Sequence, residues 1–177
     1  MGQAIGIIGL LADEDIEWLA AVGKVSQVVA GHQVIREREP VVALLLVLEG
    51  HFAVLVGGKQ ISQATKGDVM GDVSFVDSRG ASATVAATGP GRILAISSEL
   101  IRERLSDDAN FAARFYRALS ICLAQRLRRL SARKDSSAKG SELSDDADSP
   151  DELSPELLDE LMLAGKRLDW LMTRVRG

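Results

Sequence analysis

Apolar residues follow two regimes along this chain. Between Lys24 and Ser97 they come in short runs broken by glycine and polar turns. The runs are 25–30, 34–35, 41–48, Phe52–Val56, 60–65, 82–87 and 92–97. Gly31-His32, the charged stretch 36–39 with Pro40, Glu49-Gly50 and Gly57-Gly58 punctuate them. Many short strands with regular turn signals predict a sandwich, a jelly roll or a barrel. A short helix precedes them, over Asp13–Val22. Asp13, Glu14 and Asp15 sit where a helix N-terminus favours negative charge. Ile16, Leu19 and Ala20 form its apolar face, and Gly23 ends it.

From Ser98 the apolar positions recur every three or four residues, which is the helical period. Residues 99–105 predict a short helix. Asp107 and Asp108 open a long one that runs to about Arg133. Phe111, Phe115, Leu119, Leu123, Leu127 and Leu130 make one stripe along it. Arg126, Arg128, Arg129, Arg133 and Lys134 crowd its last turns. Positive charge is favoured at a helix C-terminus, so these read as a solvated, dipole-matched end rather than a nucleic-acid surface. Residues 134–149, rich in Ser, Asp, Ala and Gly, read as an acidic linker. Residues 150–177 form a further amphipathic helix, with start signals at Ser149-Pro150 and Ser154-Pro155. Leu157, Leu161, Ala164, Leu168, Leu171 and Val175 alternate steps of four and three, a heptad seam of less than three repeats. A helix of that length is not stable alone in water. It has to pack on its own domain, on a second copy or on another protein.

Composition narrows the function more than the fold. The chain has 177 residues, 46% of them hydrophobic, and a net charge of −4. That is enough for one domain with an appendage, residues 1–133 carrying the core. An acidic balance disfavours non-specific nucleic-acid binding. Cys122 is the single cysteine, which fits a reducing, cytoplasmic setting. Residues 1–12 lack the positive start of a signal peptide and are too short to span a bilayer, so they read as a packing segment. A metal-dependent β-roll enzyme needs clustered imidazoles and carboxylates; the sequence has only His32 and His51, each beside a turn glycine. No Ser-His-Asp order, P-loop or dinucleotide fingerprint is visible. The expectation is a protein that is not an enzyme and holds no metal.

The strand region resembles the cyclic-nucleotide-binding-domain family, whose β-roll is a double-stranded jelly roll. Gly31 to Ile35 resembles the glycine turn and apolar pair that open the roll. Residues 45–56, LLVLEGHFAVLV, resemble its central hairpin, with Gly50 at the turn. Residues 66–76, KGDVMGDVSFV, resemble the entry to its phosphate-binding cassette, and Ser82 to Val85 the strand that follows. The ordered set covers about residues 10–133, and two helices follow in matching order. The resemblance implies a mainly β fold with flanking helices: a β-roll, then a long helix, with the C-terminal helix separate.

It also implies a site. In this family backbone N–H groups after a Gly-Glu pair meet a cyclic phosphate, the glutamate accepts a ribose 2′-hydroxyl, and an arginine pairs with the phosphate. The base stacks on the long helix. Carried over, the candidate cassette is Gly71, Asp72, Val73, Ser74, Arg79, Ser82 and Ala83. Two departures stand out. Asp72 replaces the glutamate and reaches about 1.5 Å less far. Ala81 occupies the arginine position, and Arg79 lies two residues earlier. Losing a charge-assisted bond to phosphate costs about ten- to a hundredfold in affinity. The chain also shows none of the further helices of a helix-turn-helix output module. These features predict a stand-alone regulatory or adaptor module with a degenerate cassette, acting through a protein partner or as a homodimer. It would use the long helix and Leu157, Leu161, Leu168, Leu171 and Val175. The alternatives are a working cyclic AMP or cyclic GMP sensor, with the nucleotide as its ligand, and a structural subunit of a larger assembly.

Overall fold

The computed structural model describes residues 4–138 and 155–175, with side chains over 7–128 and 162–175. Two N-terminal helices, α1 (Ala4–Leu10) and α2 (Asp13–Val22), lead into eight strands. These are β1 (Lys24–Val28), β2 (Gln33–Ile35), β3 (Ala43–Glu49), β4 (Phe52–Val56), β5 (Lys59–Ala64), β6 (Val69–Met70), β7 (Thr84–Ala87) and β8 (Gly91–Ser97). A one-and-a-half-turn helix, α3 (Asp72–Asp77), interrupts them between β6 and β7. Then come α4 (Ser98–Asp107), α5 (Ala109–Ala138) and α6 (Pro155–Arg174).

The strands form two antiparallel four-stranded sheets, in the orders β1-β8-β3-β6 and β2-β7-β4-β5. The fold class expected from the sequence is therefore present. The central strand of the first sheet explains the long apolar run at 41–48. Leu44, Leu46 and Leu48 face a core shared with the helices, while Leu45 and Val47 face the space between the sheets. A strand buried on both faces loses the alternation of a half-exposed one. The same division holds on β8, where Leu94 and Ile96 face the helices and Ile93 faces the roll interior.

The turn at Gly50 differs from the expected hairpin. β3 already has β8 and β6 on its two edges, so β4 pairs instead with β5 and β7 in the other sheet. Gly50, at φ +93°, carries the chain from one sheet to the other. A Cβ there would stand 2.8 Å from Pro90 O and from Gly91 Cα, so the close approach needs glycine.

One buried charge ties the helices together. Asp15 is fully buried, and its carboxylate accepts bonds from Arg104 Nη2 (2.8 Å), Arg114 Nε (2.8 Å), Arg114 Nη2 (3.1 Å) and the Ala12 N–H (2.9 Å). The Arg104 guanidinium lies over both Trp18 (4.6 Å) and Phe111 (4.3 Å). Those rings are good partners for a desolvated cation. The expected opening of the long helix is also found: Asp108 Oδ1 accepts the Phe111 N–H at 2.9 Å. That helix continues to Ala138, five residues past the Arg133 expected from the sequence.

The last helix packs on the chain itself. Ala164, Leu168, Leu171 and Val175 are buried; the last three join the core of Ile7, Ile8 and Leu11. Arg167 Nη1 donates to the carbonyls of Gly9 (2.9 Å) and Leu11 (2.6 Å), and Arg167 Nε to Asp13 Oδ1 (2.8 Å). It thus satisfies carbonyls that the end of α1 leaves open. The expectation that Leu168, Leu171 and Val175 present a surface to a partner is corrected here: α1 and α2 leave an apolar face that α6 covers from within the chain. Leu157, Leu161 and the Ser149-Pro150 start lie outside the described side chains and residues. Among the described side chains of this helix, Met162, Leu163 and Trp170 are the exposed large apolar ones. Among the described residues no helix-turn-helix unit follows α5, and no helix is long and apolar enough to cross a membrane.

Candidate functional site

The candidate site is built where β6 ends and α3 begins. Gly71 adopts φ +87°, and a Cβ there would meet Val41 Cγ1 at 2.9 Å and Ala43 O at 3.0 Å. Only glycine makes this bend without strain. The bend delivers Asp72 as the first residue of α3, and the Phe75 N–H to Gly71 O bond (3.0 Å) closes the first turn. Gly71, Asp72, Val73 and Ser74 then line one wall of a cavity of about 650 Å³. Ala81, Ser82, Ala83 and Val85 line another, and Val54, Val56 and Ile61 of the β4–β5 hairpin a third. The cavity lies on the roll-interior side of the molecule.

Six of the seven cassette residues predicted from the sequence therefore come together. Arg79 does not. It is exposed in the turn after α3, with its backbone N–H donating to Asp77 Oδ1 at 3.0 Å. The segment that follows is pinned, because Arg38 N–H donates to Ala81 O (2.7 Å) and Ala81 N–H to Glu39 O (2.8 Å). Moving Arg79 inward would break this pairing. Buried Ala81 occupies the arginine position and puts a methyl group on the wall.

The charge at the cavity comes from a residue that the sequence reading placed elsewhere. Arg126 of α5 lines it, and its Nη1 bonds Asp72 Oδ1 at 2.8 Å while its Nη2 donates to Val69 O at 3.2 Å. The Asp72 side chain is 3% exposed and that of Arg126 34%. Arg126 was expected in a solvated helix end. The helix instead continues for three turns past it, and the residue points into the roll. A signal for this existed: Arg126 is eleven residues after Phe115, close to three full turns, and so shares its face. Phe115 also meets the cassette, its ring 5.7 Å from that of Phe75 in α3. Two contacts thus join α5 to the cassette helix, about 16 Å apart along α5.

The remaining groups fill in the electrostatics. Asp72 Oδ2 is buried and has no hydrogen-bond partner among the described residues. Asp68, the other carboxylate of the lining, accepts the Thr65 N–H at 2.7 Å and holds its own turn. Cys122, one turn before Arg126, is buried in the helix-facing core. Burial pushes its thiol up to about 12, with the Asp72 charge adding to the rise and Arg126 opposing it. Among the described residues no three His, Cys, Asp or Glu side chains cluster as metal ligands. A cyclic nucleotide fits this wall in part only. The ribose side finds a carboxylate, but the phosphate side finds Ala81, and Arg126 is engaged with Asp72 and the Val69 carbonyl.

Comparison with known proteins agrees with this architecture. The chain resembles a cyclic nucleotide-binding domain from Methylobacillus flagellatus KT (19% identity, TM-score 0.69), over 80% of this chain and 85% of that one. It resembles the N-terminal domain of a transcriptional regulator from Streptomyces coelicolor A3(2) (22%, TM-score 0.57), over 78% and 93%. It also resembles the catabolite activator protein of Thermus thermophilus (20%, TM-score 0.59), over 72% of this chain and 61% of that one. At these identities the likeness is one of fold. No curated protein matches the chain. The family model described as cyclic nucleotide-binding domain matches residues 25–108, which span every strand from β2 to β8, the Gly71 bend and α3. Residues 25–108 of this chain thus match the cyclic nucleotide-binding domain family, and its fold is theirs.

Proposed function

We propose that the chain is a non-catalytic regulatory module whose cavity senses a small molecule and whose long helix reports it. The observation that carries this reading is the Asp72–Arg126 pair, which joins the cassette to α5 across the cavity wall. A ligand that draws on Asp72 competes with Arg126, and a change there is a change in the seating of α5. A ligand shifts such an equilibrium only by its differential affinity for the two states. The pair supplies that difference. Beyond the core, α5 exposes Leu127 (65%) and Tyr116 (48%), an outer surface for a protein partner or a second copy of the chain.

Hydrogen exchange on the intact protein tests the coupling. Arg126→Met is expected to speed exchange in α5 after Cys122 while β3 and β8 keep their protection. Unchanged exchange in α5 would remove the coupling. Light scattering on wild type and Leu127→Asp tests self-association: a dimer lost in the variant supports it, and a monomeric wild type leaves α5 to a different protein.

A second reading is a working cyclic-nucleotide sensor. The match of residues 25–108 to the cyclic nucleotide-binding domain and the unpartnered Asp72 Oδ2 favour it. Calorimetric titration with cyclic AMP and cyclic GMP decides, with saturable binding at micromolar ligand supporting it and no heat at millimolar ligand ending it.

A further inference from the structure

The walls of the cavity point to the class of ligand. Most of the residues that face it are apolar, among them Ile35, Val54, Val56, Ile61 and Val85. Among the described residues the charged side chains there are Asp68, Asp72 and Arg126, two carboxylates against one guanidinium. Among the described residues, an anion entering this space meets a net negative wall and no uncommitted guanidinium. A neutral or cationic molecule meets neither obstacle. Asp72 adds a specific demand. Its Oδ2 is a buried acceptor without a donor, a costly state that a ligand N–H or O–H would relieve. Being shielded, that oxygen is reached as Arg126 yields, which links occupancy to α5.

We infer that the cavity takes an apolar-bodied, uncharged or cationic molecule carrying an amine or hydroxyl donor, and that it does not take a cyclic phosphate. This rests on the reading of the cavity as a ligand site. Ligand pockets of this kind combine apolar walls with a few placed polar groups, and 650 Å³ is within their usual size. The departure at Ala81 then has a rationale: a buried arginine there would add a charge that such a ligand does not use.

Two probes sharing one ring system separate donor from anion. 1-Aminoanthracene and anthracene-1-carboxylate would be titrated by fluorescence into the full chain, with Ala83→Trp as a variant that narrows the mouth. Ala83 is half-buried on the wall, and thermal melting checks that the variant is folded. The amine is expected to bind saturably and at least about tenfold tighter than the carboxylate, the size of one charge-assisted contact. Ala83→Trp should weaken it, and millimolar cyclic AMP should leave it in place. Equal or tighter binding of the carboxylate overturns the ligand class, as does displacement by cyclic AMP; either leaves the cavity as the sensing site. Binding unaffected by Ala83→Trp places the probe outside the cavity and overturns the inference. If neither ring nor cyclic AMP binds, the sensing function falls with it.

Discussion

Removing Arg126 isolates the energetics of the cassette–helix link. The pair is asymmetric, with the Asp72 side chain 3% exposed and that of Arg126 34% exposed. Arg126→Met therefore strands a buried carboxylate, while Asp72→Asn takes one partner from a guanidinium that water already reaches and that still bonds Val69 O. Breaking a buried pair costs about 3–5 kcal/mol. Partial hydration of the arginine screens the pair, so about 2–3 kcal/mol is expected for Arg126→Met. Asp72→Asn should cost less, about 1–2 kcal/mol, because its partner rehydrates. The double variant should cost little more than Arg126→Met alone, giving a coupling energy of about 1–2 kcal/mol. Urea unfolding of the four proteins measures this, with the Arg126→Met midpoint falling by about 1 M at an ordinary slope. Effects that add to within about 0.5 kcal/mol would refute the reasoning, since independent sites behave that way.

Three further outcomes follow from the same structure. Asp15→Asn leaves Arg104 and Arg114 facing a neutral amide in a fully buried position, and should cost about 3–5 kcal/mol in urea unfolding; a loss under about 1 kcal/mol would show the cluster to be hydrated. Asp108 is held below its ordinary carboxyl value of 3.8, chiefly by the Phe111 N–H. Its contribution is present above the unfolded value and is lost as pH falls through the lowered folded one; Asp108→Asn should keep the cap yet flatten the stability profile below about pH 4. Cys122, with its thiol pushed up to about 12 by burial, should resist an aromatic disulfide reagent at neutral pH in the native protein and react fully in urea. Rapid native labelling would show the core opening locally.

The strands and their order were legible because a double-sheet roll writes its turns into the sequence. Gly31, Gly50 and Gly57-Gly58 all fall at turns, and the run Phe52–Val56 is β4 residue for residue. Less legible was the partner of each strand. Residues 45–56 read as two apolar runs about a glycine, which a hairpin and a change of sheet produce alike. The pairing is decided by β8, about forty residues away in sequence, which occupies the edge that β4 would have used. Local pattern does not carry that information. The seam of α6 was visible for the same reason that its partner was not. Leu168, Leu171 and Val175 mark an apolar face, but nothing in their spacing says that Ile7, Ile8 and Leu11 supply the opposing one.

The site shows the same division, and its illegible part bears on mechanism. Gly71 and Asp72 could be placed from their neighbours in sequence, because one bend and one short helix hold them. Arg126 lies 54 residues further on, and only the docking of α5 brings it to Asp72. In the family pattern the arginine that answers the cassette belongs to the roll itself. Here that position is Ala81, and the cation found at the cavity among the described residues stands on a 30-residue helix outside the roll. The difference is more than a relocation of charge. A roll-borne arginine stands ready for a ligand's phosphate whatever the helix does. An arginine on α5 makes neutralising Asp72 and seating the helix one event. Under the proposed sensing role linkage runs both ways: a partner on the outer face of α5 would alter the affinity of the cavity by the factor through which the cavity's ligand would alter binding at that face.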